Sequence, residues 1–170
     1  YRSTQHDVSF LCVPDEWRPD TLTTQQEVVQ LLAKEGLGKV DFALMHGQFP
    51  HQLPEHINAP KHDPDFYQSI VTHLIFVGHI HQFSVMDRIV AQGSFDRLSH
   101  NDEKPKGNVK VVFDGDNYRI QQIVNEKAKI YHTVDCSGLT IDQSLEKIRN
   151  DSDYPDGSFM RIAAASDDPI

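Results

Sequence analysis

The sequence contains no long apolar run and no recognisable leader. Within its 170 residues, no apolar stretch approaches the roughly 18 residues that a membrane-spanning helix needs. The chain begins Tyr1-Arg2-Ser3, without an initiator methionine and without a charged segment followed by an apolar one. We therefore expect no membrane insertion and no secretion signal, and we expect the chain to be an internal piece of a longer protein.

Cysteines and basic residues are also scarce. The two cysteines, Cys12 and Cys136, lack Cys-x-x-Cys spacing, which predicts reduced thiols in a cytoplasmic protein. Lysine and arginine number 16 against 25 aspartates and glutamates, so the net charge is −9. This charge argues against a broad, sequence-independent contact with phosphates. It does not exclude DNA as a substrate, because bound divalent cations can neutralise an acidic site.

The hydrophobic pattern of the first half predicts alternating strands and helices. It indicates a strand at Val8–Val13, a helix at 24–36 that starts with the capping box Thr24-Gln25-Gln26-Glu27, and a strand at 39–45. Prolines and histidines then interrupt residues 49–65, which predicts a long loop. We expect its histidines to be plain loop residues, with a place beside a substrate groove as the alternative; they are His51, His56 and His62. A short helix at 67–72 and strands at 73–77 and 87–92 follow.

The second half predicts a hairpin and a small α/β unit. Strands at 109–113 and 118–124 flank the turn sequence Asp114-Gly115-Asp116-Asn117. A strand at 130–134, a helix that starts with the capping box Thr140-Ile141-Asp142-Gln143, and a strand at Phe159–Ala163 complete the chain. We expect an α/β fold with a main domain at 1–127 and a small unit at 128–170; continuation of the main core is the alternative for the small unit.

Histidines follow two of the predicted strands. Gly78-His79-Ile80-His81 comes directly after an apolar run, and His46 ends the strand before it. Ligands gather outside the carboxyl ends of strands in α/β sheets, so these imidazoles are expected to converge. Neutral imidazole suits manganese, iron or zinc. Because neighbouring strand residues point to opposite faces, His79 and His81 reach one site only through an irregular turn, or they serve two adjacent metals.

These residues resemble a known superfamily. Gly78-His79-Ile80-His81 is similar to the terminal Gly-His-x-His motif of the calcineurin-like metallophosphoesterases, and Leu44-Met45-His46-Gly47 resembles their preceding histidine segment. The segment Gln92-Gly93-Ser94-Phe95-Asp96-Arg97-Leu98-Ser99, with Glu103 and Lys106-Gly107 beyond it, is similar to one in double-strand-break-repair nucleases of the SbcD type and their phage recombination counterparts.

The resemblance implies a fold, a cofactor and partners. The fold is a metallophosphoesterase α/β/β/α sandwich, with its C-terminal half at 1–127 and a capping unit at 128–170. Two divalent ions, Mn2+ ahead of Mg2+, Fe2+ or Zn2+, would perform two-metal phosphodiester hydrolysis. By the resemblance, His46 and His79 would bind one ion and His81 the other. Apart from the resemblance, we expect Arg97 to contact phosphate or to pair with Glu103. The implied partners are DNA and the ATPase subunit of an SbcC-type complex. Formation of a homodimer is a further possibility. The implied location is the cytoplasm, or the host cytoplasm if the protein comes from a phage.

The sequence also departs from the superfamily. The first three motifs of the superfamily, Asp-x-His, Gly-Asp-x-x-Asp and Gly-Asn-His, do not occur in these 170 residues. We therefore expect the remaining ligands and the general-acid histidine to lie in an N-terminal portion outside the chain, and we expect the chain alone to be inactive. The alternatives are a phosphoesterase that acts on small phosphodiesters or phosphoproteins, and a non-catalytic module that retains the fold for partner binding.

Overall fold

The computed structural model describes residues 2–3, 7–15, 23–102, 104–115, 117–151 and 157–165, and of residues 2 and 3 only the backbone. The chain separates into two compact units, Tyr1–Gly93 and Ser94–Ile170. Both contain strands and helices, which confirms the α/β class. The small unit expected at 128–170 lies within the second compact unit, and its role as a capping unit stays a prediction. None of the helices in the described ranges is long and apolar enough to cross a membrane.

The first unit is built on a six-stranded mixed sheet. Its strands, in spatial order, are β1 (Arg2–Ser3), β2 (Val8–Val13), β3 (Val40–Gly47), β4 (Val71–His79), β6 (Ile89–Ala91) and β5 (Ser84–Met86). Strands β2, β3, β4 and β6 run parallel, and the outer strands β1 and β5 pair antiparallel to their neighbours. The carboxyl ends of β2, β3 and β4 therefore meet at one edge of the sheet.

Helix α1 (Thr24–Lys34) lies between β2 and β3 in the chain, and its N-cap is one residue earlier than the Thr24 that the sequence predicts. The N-cap is Thr23, whose hydroxyl accepts from the Gln26 backbone N–H, while the Gln26 side chain accepts from the Thr23 backbone N–H. Thr23 is the extended residue before the helix, and Thr24 is already helical and buried, so only Thr23 can serve as cap. The helix ends near Gly36, whose φ of 66° is the left-handed conformation expected of a stop residue.

The segment from β3 to β6 differs from the sequence prediction in five places. A 3-10 turn, Pro50–Gln52, lies inside the long loop, and helix α2 (Pro64–Ile70) starts earlier than expected because Asp63 caps it. Strand β4 follows α2 without a connection and continues through Gly78 to His79, so the chain does not leave the sheet at the glycine. The short edge strand β5 was not predicted, and β6 covers part of the expected strand at 87–92.

Among the side chains that the structure describes, the main core lies on one face of this sheet. Leu11, Val13, Ala43, Met45, Ile75 and Val77 point to the buried face, where Val28 and Leu32 of α1 join them. The alternate residues lie on the other face, and their aromatic rings form a row across three strands. The ring centroids of Phe10 and Phe42 are 5.5 Å apart, and those of Phe42 and Phe76 are 6.4 Å apart. Leu44, beside this row, is 45% exposed. We call these four residues the open face.

The second unit contains a hairpin and a small parallel sheet. The predicted hairpin is confirmed as β7 (Gly107–Asp114) and β8 (Asn117–Val124). Strand β9 (Tyr131–Asp135) pairs in parallel with β10 (Phe159–Ala163), and α3 (Ile141–Asn150) lies between them in the chain. The Thr140 capping box is confirmed. The Ile141 and Leu145 side chains of α3 are exposed, whereas Ser144 is buried. Glu103 lies outside the described residues.

Candidate metal centre

His46 and His79 meet at the carboxyl edge of the sheet. Strands β3 and β4 are parallel neighbours, with His46 opposite Gly78 and Gly47 opposite His79. The two imidazole rings are edge-on, with an interplanar angle of 88° and centroids 5.2 Å apart. The structure thus brings together two of the three histidines that the sequence singles out. Their binding of metal stays a prediction.

The backbone turns at His79 itself. Its φ is 117°, a conformation that side chains with a Cβ rarely adopt. Gly78, one residue earlier, lies in the strand against the His46 ring, and a Cβ added there would be 3.7 Å from Cδ2 of His46. Strained backbone of this kind persists only where its surroundings enforce it, and it concentrates at functional sites. The backbone irregularity at this motif therefore lies at His79, and the choice between an irregular turn to one site and two adjacent metals stays a prediction.

A carboxylate that the sequence analysis did not single out completes a group of three. Asp15 follows Pro14 at the end of β2, next to β3 in the sheet. One ligand atom each of Asp15, His46 and His79 lie within 4.8 Å of one another, and all three residues are exposed. Asp15 follows an apolar strand as the two histidines do, but only the pairing of β2 with β3 brings it to the same place.

Asp15 is hydrogen-bonded to His46. Oδ2 of Asp15 lies 2.7 Å from Nδ1 of His46, and the two side chains are 50% and 57% exposed. Ion pairs this exposed contribute about 0–1 kcal/mol to stability, because water screens them and both side chains lose freedom. The pair therefore does little for the fold, and its position at the strand ends points to a role in the site.

The buried side chain of His62 is hydrogen-bonded to the backbone of the same strand end. Its Nε2 lies 2.8 Å from the carbonyl oxygen of His46 and, since a carbonyl only accepts, this nitrogen donates. Gly47 leaves the space for this contact, since its φ is 123° and a Cβ there would lie 2.6 Å from Nε2 of His62. His62 belongs to the long loop, as the sequence predicts. Its side chain is 1% exposed, so its role is structural.

The other predicted site residues are not members of this group. His81 is exposed and does not belong to the three-residue group, so its expected service to a second metal stays a prediction. Arg97 belongs to the second unit, where its Nη1 donates to the carbonyl oxygen of Lys129 over 2.9 Å. Its expected contact with phosphate stays a prediction, and its alternative partner Glu103 lies outside the described residues.

An open cavity of about 560 Å³ adjoins the His46 side of the group. It lies along the carboxyl half of the sheet, and its lining includes Cys12, Leu44, His46, Phe76, Gly78 and Gln92. Cys12 and Cys136 are both free thiols, as expected. The cavity therefore connects His46 with Leu44 and Phe76 of the open face.

The side chains present fit a divalent metal ion. Imidazole nitrogens and a carboxylate oxygen are the donors that zinc, manganese and iron take in proteins, and sites with fewer than four protein ligands keep positions for water or substrate. Two imidazoles from adjacent strand ends offer such a partial set, and the Asp15 carboxylate lies beside them. Comparison of the chain with protein-family models and with curated protein sequences finds no match.

Proposed function

We propose that this chain is part of a metal-dependent phosphodiester hydrolase, the nuclease subunit of a DNA repair or recombination exonuclease. The observation that carries the proposal is the meeting of His46 and His79 at the carboxyl ends of adjacent parallel strands. It agrees with the resemblance of both histidine segments to those of the calcineurin-like metallophosphoesterases. Solvent exposure of both side chains supports it further, because a site that acts on a polymer must be open to its substrate.

The open face supports the proposed sandwich. Phe10, Phe42 and Phe76 cross three strands on the side opposite the main core, and Leu44 among them is largely exposed. Contiguous apolar surface of this kind marks an interaction site in a soluble protein. In the proposed α/β/β/α arrangement, a second sheet from the remainder of the protein covers this face and brings the missing ligands and the general-acid histidine to the edge where His46 and His79 lie.

The proposed cofactor is a pair of divalent ions, with Mn2+ as the first candidate. His46 and His79 would hold one ion, and His81 would contribute to the other. Such ions lower the pKa of a water molecule and stabilise negative charge on phosphoryl oxygens during in-line attack. Arg97 would contact the DNA backbone. The proposed partner is the ATPase subunit of an SbcC-type complex, and the proposed location is the cytoplasm.

Metal binding tests the centre directly. Free Mn2+ is measured by electron paramagnetic resonance during titration of the wild-type chain, of His79→Ala and of His56→Ala. We expect weak, saturable binding by the wild type, loss of at least about tenfold in affinity for His79→Ala because one of few ligands is removed, and no change for His56→Ala. His56 is an exposed residue of the long loop and serves as the matched imidazole control. Equal Mn2+ binding by all three chains would contradict the metal centre.

Activity assays test the substrate. We expect the 170-residue chain alone to hydrolyse neither linear duplex DNA nor a small chromogenic diester in Mn2+, and we expect the intact protein to degrade the DNA. Hydrolysis of the small diester alone would favour the phosphoesterase alternative. Failure of the intact protein on both substrates would favour the non-catalytic module, for which the open face offers a binding surface.

A further inference from the structure

We propose that Asp15 is a positioning residue: it holds the proton of His46 on Nδ1 and so leaves Nε2 as the atom that binds metal. The proposal rests on the proposed function of His46 as a ligand and adds a residue outside the motifs that suggest that function. It starts from the 2.7 Å contact between Asp15 Oδ2 and His46 Nδ1.

The chemistry of the two groups fixes the direction of this bond. An ionised carboxylate only accepts hydrogen bonds, so Nδ1 of His46 must carry the hydrogen. A neutral imidazole has one N–H, and its other nitrogen then carries a free lone pair. With the hydrogen on Nδ1, that lone pair is on Nε2. Metal-binding histidines are oriented in this way by a carboxylate or carbonyl on the nitrogen that does not bind the ion, and such partners also raise the basicity of the ligand nitrogen.

The distance shows that Asp15 Oδ2 and His46 Nδ1 share a hydrogen bond and do not bind one ion together. Two atoms that each lie about 2.1 Å from one ion, at a right angle or wider, are at least about 3.0 Å apart. The observed 2.7 Å is shorter than that and is the usual length of a hydrogen bond to a charged group. A metal bound through Nδ1 would displace this bond, whereas a metal bound through Nε2 preserves it.

The sheet register brings the carboxylate to this position. Val13 of β2 lies opposite Met45 of β3, so two residues further along Asp15 comes level with Gly47. A Cβ on Gly47 would lie 2.8 Å from Oδ1 of Asp15. Glycine therefore lets the carboxylate approach the β3 backbone closely, next to the ring of the preceding residue, His46. The contact follows from strand pairing and from a side chain that is absent, and not from two flexible groups that meet by chance.

The experiment reads the tautomer and the metal affinity separately. Long-range 1H–15N spectra of the histidine side chains are recorded on the metal-free wild type, Asp15→Ala, Asp15→Asn and Glu55→Gln, and Mn2+ affinity is measured for each. We expect the Nδ1–H form of His46 in the wild type. In Asp15→Ala we expect a shift toward the Nε2–H form and about 10- to 100-fold weaker binding. Asp15→Asn should keep the tautomer, because its amide oxygen still accepts, with a smaller loss of affinity. Glu55, an exposed loop carboxylate, is the charge control and should match the wild type.

The outcomes separate this proposal from the proposed function. A wild type with His46 in the Nε2–H form overturns the role of Asp15. So does an Asp15→Ala chain that binds Mn2+ as tightly as the wild type while His79→Ala does not, and the metal centre then stands. A wild type that shows the Nδ1–H form but binds no Mn2+ overturns the metal centre, and the role of Asp15 toward a metal falls with it.

Discussion

Nε2 of His62 donates a hydrogen bond to the backbone carbonyl oxygen of His46 over 2.8 Å, from a ring that is almost wholly buried. The His62 ring packs against Phe49 and Tyr67, with centroid distances of 5.6 Å and 5.4 Å. A residue of the proline-rich loop therefore fixes the backbone that carries a candidate ligand. The loop and the strand end form one structural unit, although 16 positions separate the two histidines in the chain.

Replacement of His62 by alanine should destabilise the protein markedly. The change removes a buried ring and leaves the His46 carbonyl without this donor, so we expect the free energy of unfolding to fall by about 2–4 kcal/mol. Urea denaturation followed by circular dichroism measures the change. His56→Ala in the same loop is the control; its side chain is exposed, and the expected change is within about 0.5 kcal/mol. Equal stability of the two variants would show that the His62 contact contributes nothing.

Gly47 should tolerate no side chain. Gly47→Ala places a Cβ at a φ of 123°, within 2.6 Å of the His62 ring and 2.8 Å of the Asp15 carboxylate. We expect a loss of at least about 2 kcal/mol, from backbone strain and from displacement of both groups. Gly38→Ala is the matched control because a Cβ there meets no atom within 4 Å, and it should be neutral or stabilising by up to about 1 kcal/mol. The same urea experiment compares the two, and a Gly47→Ala chain as stable as Gly38→Ala would refute the crowding.

The sequence predicts most of the fold because burial determines the strands. The apolar runs at Val8–Val13 and in the predicted hairpin become strands with nearly the expected bounds. The errors occur where the local sequence fits more than one structure. Thr23 and Thr24 are both possible caps, and only the extended backbone at Thr23 decides between them. Strand β5 was missed because three residues carry too little periodicity to predict a strand that forms by pairing with β6.

The sequence predicts those site residues that directly follow a predictable strand. His46 and His79 follow apolar runs, so a parallel sheet brings them together. Asp15 requires the additional knowledge that β2 lies next to β3, which no local pattern encodes. The position of His62 depends on the path of a loop with little regular structure, and sequence periodicity does not describe such a path. The tertiary structure therefore determines which residues surround His46, whereas the local sequence identifies the candidate ligands His46 and His79.

Glycine at position 79 should give a more stable protein than alanine. Both His79→Gly and His79→Ala remove the imidazole, but only glycine adopts a φ of 117° without strain. We expect His79→Gly to exceed His79→Ala in unfolding free energy by about 1–3 kcal/mol, the usual cost of such a backbone conformation. Thermal and urea unfolding of the pair measure the difference. Since both variants lack the ring, they should bind Mn2+ equally weakly, and a more stable alanine variant would show that the turn at this position is unstrained.

The stability of the first unit should fall in acid through Asp41. Burial raises the pKa of this carboxyl, but hydrogen bonds from the Ser9 hydroxyl and backbone N–H, at 2.6 Å and 2.7 Å, outweigh it and lower the pKa below its ordinary value of 3.8. A carboxyl with a lowered folded-state pKa stabilises the fold above its unfolded pKa, and this stability is lost as the pH falls through the folded value. Since Asp41 is only half-buried, we expect about 1 kcal/mol at neutral pH.

Urea titrations at pH 7 and at steps down to pH 3 test this contribution in Asp41→Asn. At pH 7 the variant should be less stable than the wild type. The difference should shrink as the pH falls below about 4, because Asp41 of the unfolded wild type then binds a proton, and it is lost once the folded protein binds one too. Ser9→Ala should show a smaller effect of the same sign, since the backbone N–H of residue 9 still donates to the carboxylate. A constant difference between wild type and Asp41→Asn from pH 7 to pH 3 would mean that the charge of Asp41 does not stabilise the pairing of β2 with β3.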